Sequence, residues 1–374
     1  MDKVRVGIVG MGVFGTGHAE RFIDNDIPNA QLSAICDASK EQLERCAELF
    51  KGIPAYESAE LMFKSGNIDA AIIVPPHYDH PRLTMMAFEH GIHVLCEKPQ
   101  AVYTKAAREM NEKHKEHPEL VFGIMYNDRT NPAYIKMREI IKNGELGRVR
   151  RFNWIVTHWY RPQAYYDSGT WRATWGGEGG GVLINQCPHN LDLWQWIIGE
   201  SPKRIRAFCH EGKWHDIEVE DDVTAYCEYE SGATGVFITC TGDAPGTNRL
   251  EITGDMGKLI YENGKLVFHK NAMPEQEFSK TNKELFARPP YEVLEVELKG
   301  ESTQHNEVIS RFVEKILGRG TLVAEGEEGI HGLMISNAIH LSGWLNQTVE
   351  LPIDEDLFYA ELQKRIAASK FKSK

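Results

Sequence analysis

Three short stretches of the chain combine residue types that can bind a nucleotide and move a proton. The first is Gly10-Met11-Gly12-Val13-Phe14-Gly15, which follows the apolar run Val4–Val9. Glycines at this spacing permit a tight turn and let backbone N–H groups approach a pyrophosphate at the start of a helix. Asp37 ends the next apolar run, where its carboxylate can accept a hydrogen bond from a ribose 2′-OH and repel a 2′-phosphate. The pattern favours NAD over NADP; the alternative is a glycine turn with a helix-capping aspartate.

The second stretch, Glu97-Lys98-Pro99, directly follows the apolar run His93–Cys96. Ligands of open parallel sheets lie beyond the carboxyl ends of the strands, so Lys98 is predicted to point toward the cofactor crevice. A lysine there could have a lowered pKa and could steer or polarise a substrate oxygen. An exposed loop lysine is the alternative. Pro75 ends another apolar run and could wall the nicotinamide, whereas His80 is either a ligand contact or a residue at a helix N-terminus.

The third stretch runs from Gly179 to Asp192 and begins with three glycines, which allow close backbone approach. Asn185, His189 and Asp192 are spaced so that they could share one helical face. Pro188 suits a first helical turn, however, and would leave Asn185 just outside the helix. A neutral histidine is suited to taking a proton from a hydroxyl group near neutral pH. The alternative is a buried histidine that satisfies a helix cap.

Aromatic side chains are concentrated between Phe152 and Trp175, and Arg161 and Arg172 lie among them. Aromatic faces, such as that of Trp171, stack on the C–H faces of sugar rings, and arginine tips hydrogen-bond hydroxyl groups. Packing in the protein core is an alternative explanation for some of these aromatic side chains. Their density beside the triple glycine nevertheless predicts a carbohydrate or cyclitol pocket.

The elements that must position these residues change in type near residue 126. Before it, short apolar runs alternate with amphipathic stretches, which predicts a doubly wound parallel sheet. After it, strand candidates follow one another across glycine-containing turns and predict a mostly antiparallel sheet. We therefore expect an α/β protein with a dinucleotide-binding domain over residues 1–126 and an α+β substrate and oligomerisation domain over residues 127–374.

The predicted elements have defined bounds. The predicted strands are Val4–Val9, Gln31–Cys36, Ala70–Val74, His93–Cys96, Val121–Met125, Val149–Thr157, Ile205–Cys209, Val223–Tyr229, Thr234–Cys240, Leu250–Thr253, Lys258–Tyr261 and Leu266–His269. The predicted helices are Lys40–Phe50, Ser58–Ser65, Arg82–His90, Thr104–His117, Pro132–Lys142, Pro188–Ile198, Asn306–Leu317 and Gly326–Asn346.

Composition narrows the class of protein. A formal charge of −12 disfavours nucleic acid and anionic membrane surfaces as partners. No window approaches the roughly 20 apolar residues of a membrane helix, and the first strand begins too early to leave room for a signal peptide. The seven cysteines include no CxxC pair, so neither a disulfide framework nor a metal site is expected. These features predict a cytoplasmic protein with reduced thiols.

Taken together, the motifs resemble the Gfo/Idh/MocA family, which includes glucose–fructose oxidoreductase and inositol dehydrogenase, over nearly the whole chain. Gly10, Gly12 and Gly15 match the family's cofactor turn on a Rossmann domain, and Glu97-Lys98-Pro99 matches its EKP motif, whose lysine is catalytic. Gly179–Asp192 resembles its GGGxLxDxGxHxxD stretch, in which an Asp and a His act beside that lysine.

The resemblance implies reversible oxidation of a secondary alcohol on a sugar, glycoside or cyclitol, with His189 and Lys98 as the proton-transfer pair. It also implies a dimer or tetramer formed through the second sheet. Asn185 replaces the usual aspartate, and an amide can orient a hydroxyl group but not serve as acid or base. Asp192, Tyr126 and Arg172 are expected to help position the ring. Pro76 also departs from the asparagine that relatives often carry after the proline.

Two other functions fit the same residues. One is a glycosidase in which bound NAD oxidises the sugar transiently and is restored, so that product forms without net change of the cofactor. The other is a non-catalytic sensor of sugar or NAD. Lys98 and His189 argue against a sensor, whereas Asn185 keeps that hypothesis open.

Overall fold

The computed structural model describes residues 3–370. The strands are β1 Val4–Val9, β2 Ala30–Cys36, β3 Ala55–Tyr56, β4 Ala70–Ile73, β5 His93–Cys96, β6 Phe122–Ile124, β7 Val149–Val156, β8 Arg204–Glu211, β9 Glu220–Glu228, β10 Thr234–Cys240, β11 Asn248–Gly254, β12 Gly257–Glu262, β13 Lys265–Asn271, β14 Tyr291–Glu295 and β15 Val349–Glu350. The helices are α1 Val13–Ile23, α2 Lys40–Leu49, α3 Ala59–Lys64, α4 Asp79–Glu89, α5 Thr104–Lys115, α6 Pro132–Lys142, α7 Gln163–Tyr166, α8 Pro188–Ile198, α9 Glu275–Thr281, α10 His305–Ile316, α11 Gly329–Leu345 and α12 Glu355–Ala368. Short 3-10 turns cover Asn127–Thr130 and Gly326–Glu328.

The chain divides into two compact units, which are described separately. Unit 1 contains Met1–Thr130 and Thr303–Leu333, and unit 2 contains Asn131–Ser302 and Met334–Lys374. The sequence predicted one boundary near residue 126; the structure also places residues 303–333 in unit 1. The physical reason is that the apolar side of α10, with Ile309 and Phe312, is buried in the core of the first sheet.

Unit 1 is a six-stranded sheet with the order β3-β2-β1-β4-β5-β6, in which every pairing is parallel. Its central strands are buried on both faces, as in β4, where all four residues are buried. This explains why they are continuous apolar runs rather than alternating ones. The strand order reverses between β1 and β4, and such a switch point is where open α/β sheets bind ligands. The sheet confirms the predicted Rossmann architecture.

Unit 2 contains a nine-stranded sheet with the order β14-β13-β12-β11-β7-β10-β9-β8-β15. Only the β7–β10 pairing is parallel, so the predicted mostly antiparallel sheet is confirmed. Helix α8 packs on this sheet through Trp194, whose ring lies 6.0 Å from that of Phe152 and 5.2 Å from that of Phe237. This stacking fixes the helix that carries His189.

Several elements have no predicted counterpart. Helix α9 has no buried residue, and all five residues of β14 are exposed. Helix α12 buries only Phe358 and Leu362. Segments that bury so little lack the apolar periodicity on which the predictions depend.

One bound is corrected at the start of α4, which begins at Asp79 rather than Arg82. His80 therefore lies in its first turn.

Within residues 3–370, no helix has both the length and the apolar character needed to cross a membrane.

Candidate active site

The glycine turn between β1 and α1 leaves space for a cofactor on one side only. Gly10 has a φ of +92°, and a side chain there would meet the backbone of Pro75. A Cβ atom on Gly15 would lie 1.9 Å from the Gly10 carbonyl oxygen, whereas one on Gly12 would meet nothing within 4 Å. Val13 and Phe14 are 84% and 59% exposed in the first turn of α1. The turn thus has the shape of a cradle for a pyrophosphate group.

Asp37 connects this turn to the end of β2. Its Oδ2 atom accepts the Met11 N–H at 2.7 Å, and its Oδ1 atom accepts the Ser39 N–H at 2.8 Å. The carboxylate therefore supports the glycine turn itself, a structural role that the sequence did not indicate. Each carboxylate oxygen can accept more than one hydrogen bond, so the predicted ribose contact remains compatible with these bonds.

Lys98 follows a carboxylate that is buried and ionised. Glu97 Oε1 lies 2.8 Å from His18 Nε2 on α1, and Glu97 Oε2 accepts the Lys98 N–H at 3.1 Å. Burial would raise the pKa of Glu97, but the hydrogen bond and charge of His18, with Lys98 and His305, lower it to about 2. Glu97 thereby ties the lysine loop to the helix that begins at the glycine turn. The pairing joins residues 79 positions apart, and no local pattern indicated it.

His80 joins two loops at the carboxyl ends of β4 and β5. Its Nδ1 and Nε2 atoms lie 2.7 Å from the Pro99 oxygen and 2.8 Å from the Pro75 oxygen. Burial, which dominates the hydrogen bonds, lowers its pKa. The side chain thus holds the loops of Pro75 and Lys98 together, and its predicted contact with the cofactor stays a prediction.

Tyr126 is a core residue of unit 1. It is 2% exposed, and its hydroxyl group donates to the Gly329 oxygen at 3.2 Å. The Arg129 guanidinium lies 5.3 Å from the centre of its ring. These contacts give Tyr126 a structural role, and its predicted contact with substrate is untested.

In unit 2, a second buried carboxylate shapes the triple-glycine stretch. Glu220 on β9 accepts the N–H groups of Gly181, at 2.9 and 3.0 Å, and of Leu183, at 3.0 Å. His340 Nε2 lies 3.1 Å from the same carboxylate. A Cβ atom on Gly181 would lie 2.0 Å from the Glu220 carbonyl oxygen, so only glycine fits. The sequence did not identify Glu220, because Gly181 and Leu183 lie 39 and 37 residues away and His340 lies still farther along the chain.

His189 and Asp192 lie one turn apart near the start of α8, whose first residue is Pro188. Asn185 precedes the helix and is not part of its face, as Pro188 indicated. Asp192 is fully buried and accepts Gln195 Nε2 at 3.2 Å. His189 is half-buried.

Asn185 belongs to a hydrogen-bonded group that we call the Tyr165 network, formed by Tyr165, Arg172, Glu178, Asn185 and Gln186. The Tyr165 hydroxyl accepts Arg172 Nη1 at 2.9 Å and the amides of Asn185 and Gln186 at 3.3 Å each. Asn185 Nδ2 also donates to Glu178 Oε1. The network assembles predicted substrate residues with Glu178, which the sequence missed although it stands directly before the triple glycine.

Two arginines stack on the aromatic rings of this region. The Arg172 guanidinium lies 4.6 Å from the Tyr165 ring centre and 4.5 Å from that of Trp171. Arg161 lies 5.0 Å from the Tyr165 ring centre. Planar cationic and aromatic groups of this kind suit a polar ring such as a sugar.

Among residues 3–370, no cluster of three or more His, Cys, Asp or Glu side chains could hold a metal ion.

Comparisons with known proteins match both parts of the chain to one family. The family model for an oxidoreductase NAD-binding Rossmann fold matches residues 4–124, and the GFO/IDH/MocA C-terminal domain matches residues 134–260. The chain is 25% identical to the myo-inositol 2-dehydrogenase of Thermotoga maritima over 267 residues, which cover 70% of this chain and 75% of that protein. It is 24% identical to the D-glucoside 3-dehydrogenase of Escherichia coli K12 over 372 residues, 94% of this chain and 98% of that protein.

A solved structure shares both units of the fold. The WlbA dehydrogenase from Bordetella pertussis, in complex with NADH and UDP-GlcNAcA, matches with a TM-score of 0.80 and 25% identity. The match covers 94% of this chain and all of that one. With two family models that together span most of the sequence, this chain belongs to the Gfo/Idh/MocA family of NAD-binding oxidoreductases.

Proposed function

We propose that this protein is an NAD-dependent dehydrogenase that oxidises a secondary alcohol of a sugar, a glycoside or a cyclitol. The observation that carries the proposal is the presence of Lys98 and His189, each in a segment anchored by a buried carboxylate. Glu97 anchors the first, and Glu220 anchors the glycine stretch before the second. Relatives named as inositol and glucoside dehydrogenases support the substrate class.

Each residue has a separate role in this proposal. Bound NAD supplies the hydride acceptor, and the residues proposed to hold it are Gly10, Gly12, Val13, Phe14, Gly15, Asp37, Pro75, His80, Glu97 and Lys98. His189 takes the proton of the hydroxyl group, and the Lys98 ammonium stabilises negative charge on the substrate oxygen. Asn185 orients the hydroxyl group, since its amide cannot exchange a proton at neutral pH. The residues proposed to bind the ring are Tyr126, Arg161, Trp171, Arg172, Asn185, His189 and Asp192.

The test measures reduction of NAD and of NADP by the purified protein with aldoses, cyclitols and simple glycosides. The expected result is sustained NADH formation with one substrate class. His189→Ala should lower kcat at least about 100-fold while the Kd for NAD stays within about twofold. The control is His269→Ala, which removes a histidine on β13 beside Tyr291 and should leave kcat unchanged.

Other outcomes would replace this proposal. Release of an aglycone without net NADH formation would identify a cofactor-recycling glycosidase. NAD binding without turnover of any substrate would identify a sensor. Unchanged turnover of His189→Ala would remove that residue from the mechanism.

We also propose that the protein is a homodimer or homotetramer assembled through the open face of the second sheet. Alternating residues on this face are apolar and accessible: Phe208 is 54% exposed and Tyr226 is 42% exposed on neighbouring strands. Val236 and Ile238 continue the same face on β10. Sedimentation analysis of Tyr226→Glu should show loss of the oligomer; an unchanged mass would exclude this face.

The thiols support a reducing compartment, which we propose to be the cytoplasm. None of the seven cysteines forms a disulfide bond, and Cys209 alone among them is partly exposed. Burial, with the charge of Asp37, raises the pKa of Cys36 to about 12. Thiols that stay protonated are poor nucleophiles and oxidise slowly. Seven thiols without a disulfide bond are consistent with the reducing compartment that we propose.

A further inference from the structure

Glu178 is a buried carboxyl group at the centre of the Tyr165 network. It is 2% exposed. It accepts the Ala173 N–H at 2.6 Å as well as Asn185 Nδ2, and Arg172 Nη1 lies 3.9 Å away. Position 185 thus holds an amide where the family resemblance implies a carboxyl group, and the carboxyl group of Glu178 is hydrogen-bonded to that amide.

The surroundings of Glu178 allow both its protonated and its ionised form to be populated near neutral pH. Burial raises its pKa to about 7, against the lowering effects of the Ala173 N–H, Asn185 and Arg172. Glu220 on β9 adds a repulsive negative charge, and His340 on α11 lies against that carboxylate. Tyr166 on α7, whose hydroxyl group bonds the Thr241 hydroxyl group, also interacts electrostatically with Glu178.

The charge of Glu178 decides which end of the Asn185 amide can face it. An ionised carboxylate only accepts hydrogen bonds, so it pairs with Nδ2, as observed, and the amide oxygen is directed elsewhere. A protonated carboxyl group can donate, and it then pairs best with Oδ1, which turns Nδ2 outward. Tyr165 tolerates both arrangements, because a hydroxyl group can accept from Nδ2 or donate to Oδ1.

We propose that Glu178 is a positioning residue that acts through Asn185, its protonation state selecting whether the amide presents oxygen or nitrogen to the substrate. This inference rests on the proposed function, in which Asn185 contacts the reacting hydroxyl group. An alcohol has one hydroxyl hydrogen, which it can share between the amide oxygen and His189 in a three-centre hydrogen bond before His189 takes the proton. A ketone can only accept and is matched by the amide nitrogen. Ionised Glu178 therefore favours binding of the alcohol, and protonated Glu178 favours binding of the ketone.

The test compares Glu178→Gln with Glu218→Gln. Glu218 is a matched control, since its carboxylate also accepts backbone N–H groups of unit 2, those of Trp175 and Lys370. In the wild type, the pH profile of kcat/KM for alcohol oxidation should contain two features: the loss of activity on protonation of the general base His189, and a second, partial ionisation near pH 7 that belongs to Glu178. This second ionisation should be worth about tenfold, the effect of one well-placed hydrogen bond. Glu178→Gln should remove that ionisation, and Glu218→Gln should retain it.

A second variant tests the route through the amide. Asn185→Ala should remove the same ionisation, and Glu178→Gln added to it should cause no further change in the pH profile. If Glu178→Gln does not fold, the pH profile of Asn185→Ala alone tests the proposal. Persistence of the partial, about tenfold ionisation in either variant, or its loss in Glu218→Gln, would overturn the proposal.

A measurement without substrate separates this inference from the proposed function. Infrared difference spectra of wild type minus Glu178→Gln should show a protonated carboxyl group at pH 5 that is replaced by a carboxylate by pH 9. This titration can be observed even if no tested alcohol is oxidised. A carboxylate at every pH would overturn the inference while leaving dehydrogenase activity unaffected.

Discussion

The glycines around the start of α1 allow cofactor approach to be separated from folding by three single substitutions. In Gly12→Ala the new Cβ atom would meet nothing within 4 Å, and the φ of −63° suits alanine. Alanine is a poorer N-cap than glycine but restricts the unfolded chain, and these effects offset each other to within about 1 kcal/mol. The free energy of unfolding of the protein without cofactor should therefore change little.

Gly15→Ala, in contrast to Gly12→Ala, should lower the free energy of unfolding. Its Cβ atom would lie 1.9 Å from the Gly10 carbonyl oxygen and 2.9 Å from the Gly10 carbonyl carbon. Both are backbone atoms of the turn, so no side chain can move aside, and we expect a loss of about 3 kcal/mol or more. Gly17→Ala is the control, because its Cβ atom meets nothing within 4 Å and alanine favours helix by about 1 kcal/mol.

The assay pairs urea unfolding without NAD with calorimetric titration of NAD. Gly12→Ala should unfold like the wild type but bind NAD at least about tenfold more weakly, or about 1.4 kcal/mol, because the methyl group occupies the path of the pyrophosphate. Gly15→Ala should unfold at lower urea, and Gly17→Ala should match the wild type in affinity. Wild-type affinity of Gly12→Ala would refute the assignment of this glycine to the pyrophosphate.

Three further outcomes follow from buried and hydrogen-bonded carboxylates. Asp37→Asn keeps an acceptor for the Met11 N–H but removes the charge that repels a 2′-phosphate, so kcat/KM for NADP relative to NAD should rise at least about tenfold; an unchanged ratio would exclude Asp37 from cofactor choice. Glu97 has its pKa lowered to about 2, so its ionised form stabilises the protein above pH 4.5 and that stability is lost as the pH falls. Glu97→Gln should therefore destabilise the protein at pH 7, and the difference in unfolding free energy from wild type should shrink by pH 3; a constant difference would contradict this. Glu178 has its pKa raised to about 7 from 4.5, so its contribution is complete below pH 4.5 and lost as the pH rises through 7. Relative to wild type, Glu178→Gln should gain about 2 kcal/mol of unfolding free energy between pH 5 and pH 8, and parallel stability curves would show that Glu178 does not titrate there.

Much of the fold follows from local patterns. The predicted bounds of β1, β5, β10, α6 and α8 match those of the structure. These segments have apolar residues at strand or helix spacing, and glycine, proline or asparagine marks ends of β1, α6 and α8. The glycine turn could be predicted for the same reason, since its backbone geometry depends on residues a few positions apart.

The anchors of the candidate site could not be found in this way. Glu220 lies 39 residues from Gly181, and Glu97 lies 79 residues from His18. A buried carboxylate looks in the sequence like any surface glutamate, because its burial and partners are set by strands and helices that pack together later. The same holds for α10, which belongs to the first unit although most of the second unit precedes it in the chain.

The sequence by itself therefore determined the type and order of the main elements, the cofactor turn and the presence of Lys98 and His189. These are encoded by residue type and short spacing, which act within one or two turns of chain. Only the tertiary structure decided that Asn185 donates to Glu178, and that burial brings the pKa of that carboxyl group to about 7. Desolvation and hydrogen bonding act through space, so they become defined only when the α8 region and the aromatic segment before it are folded together.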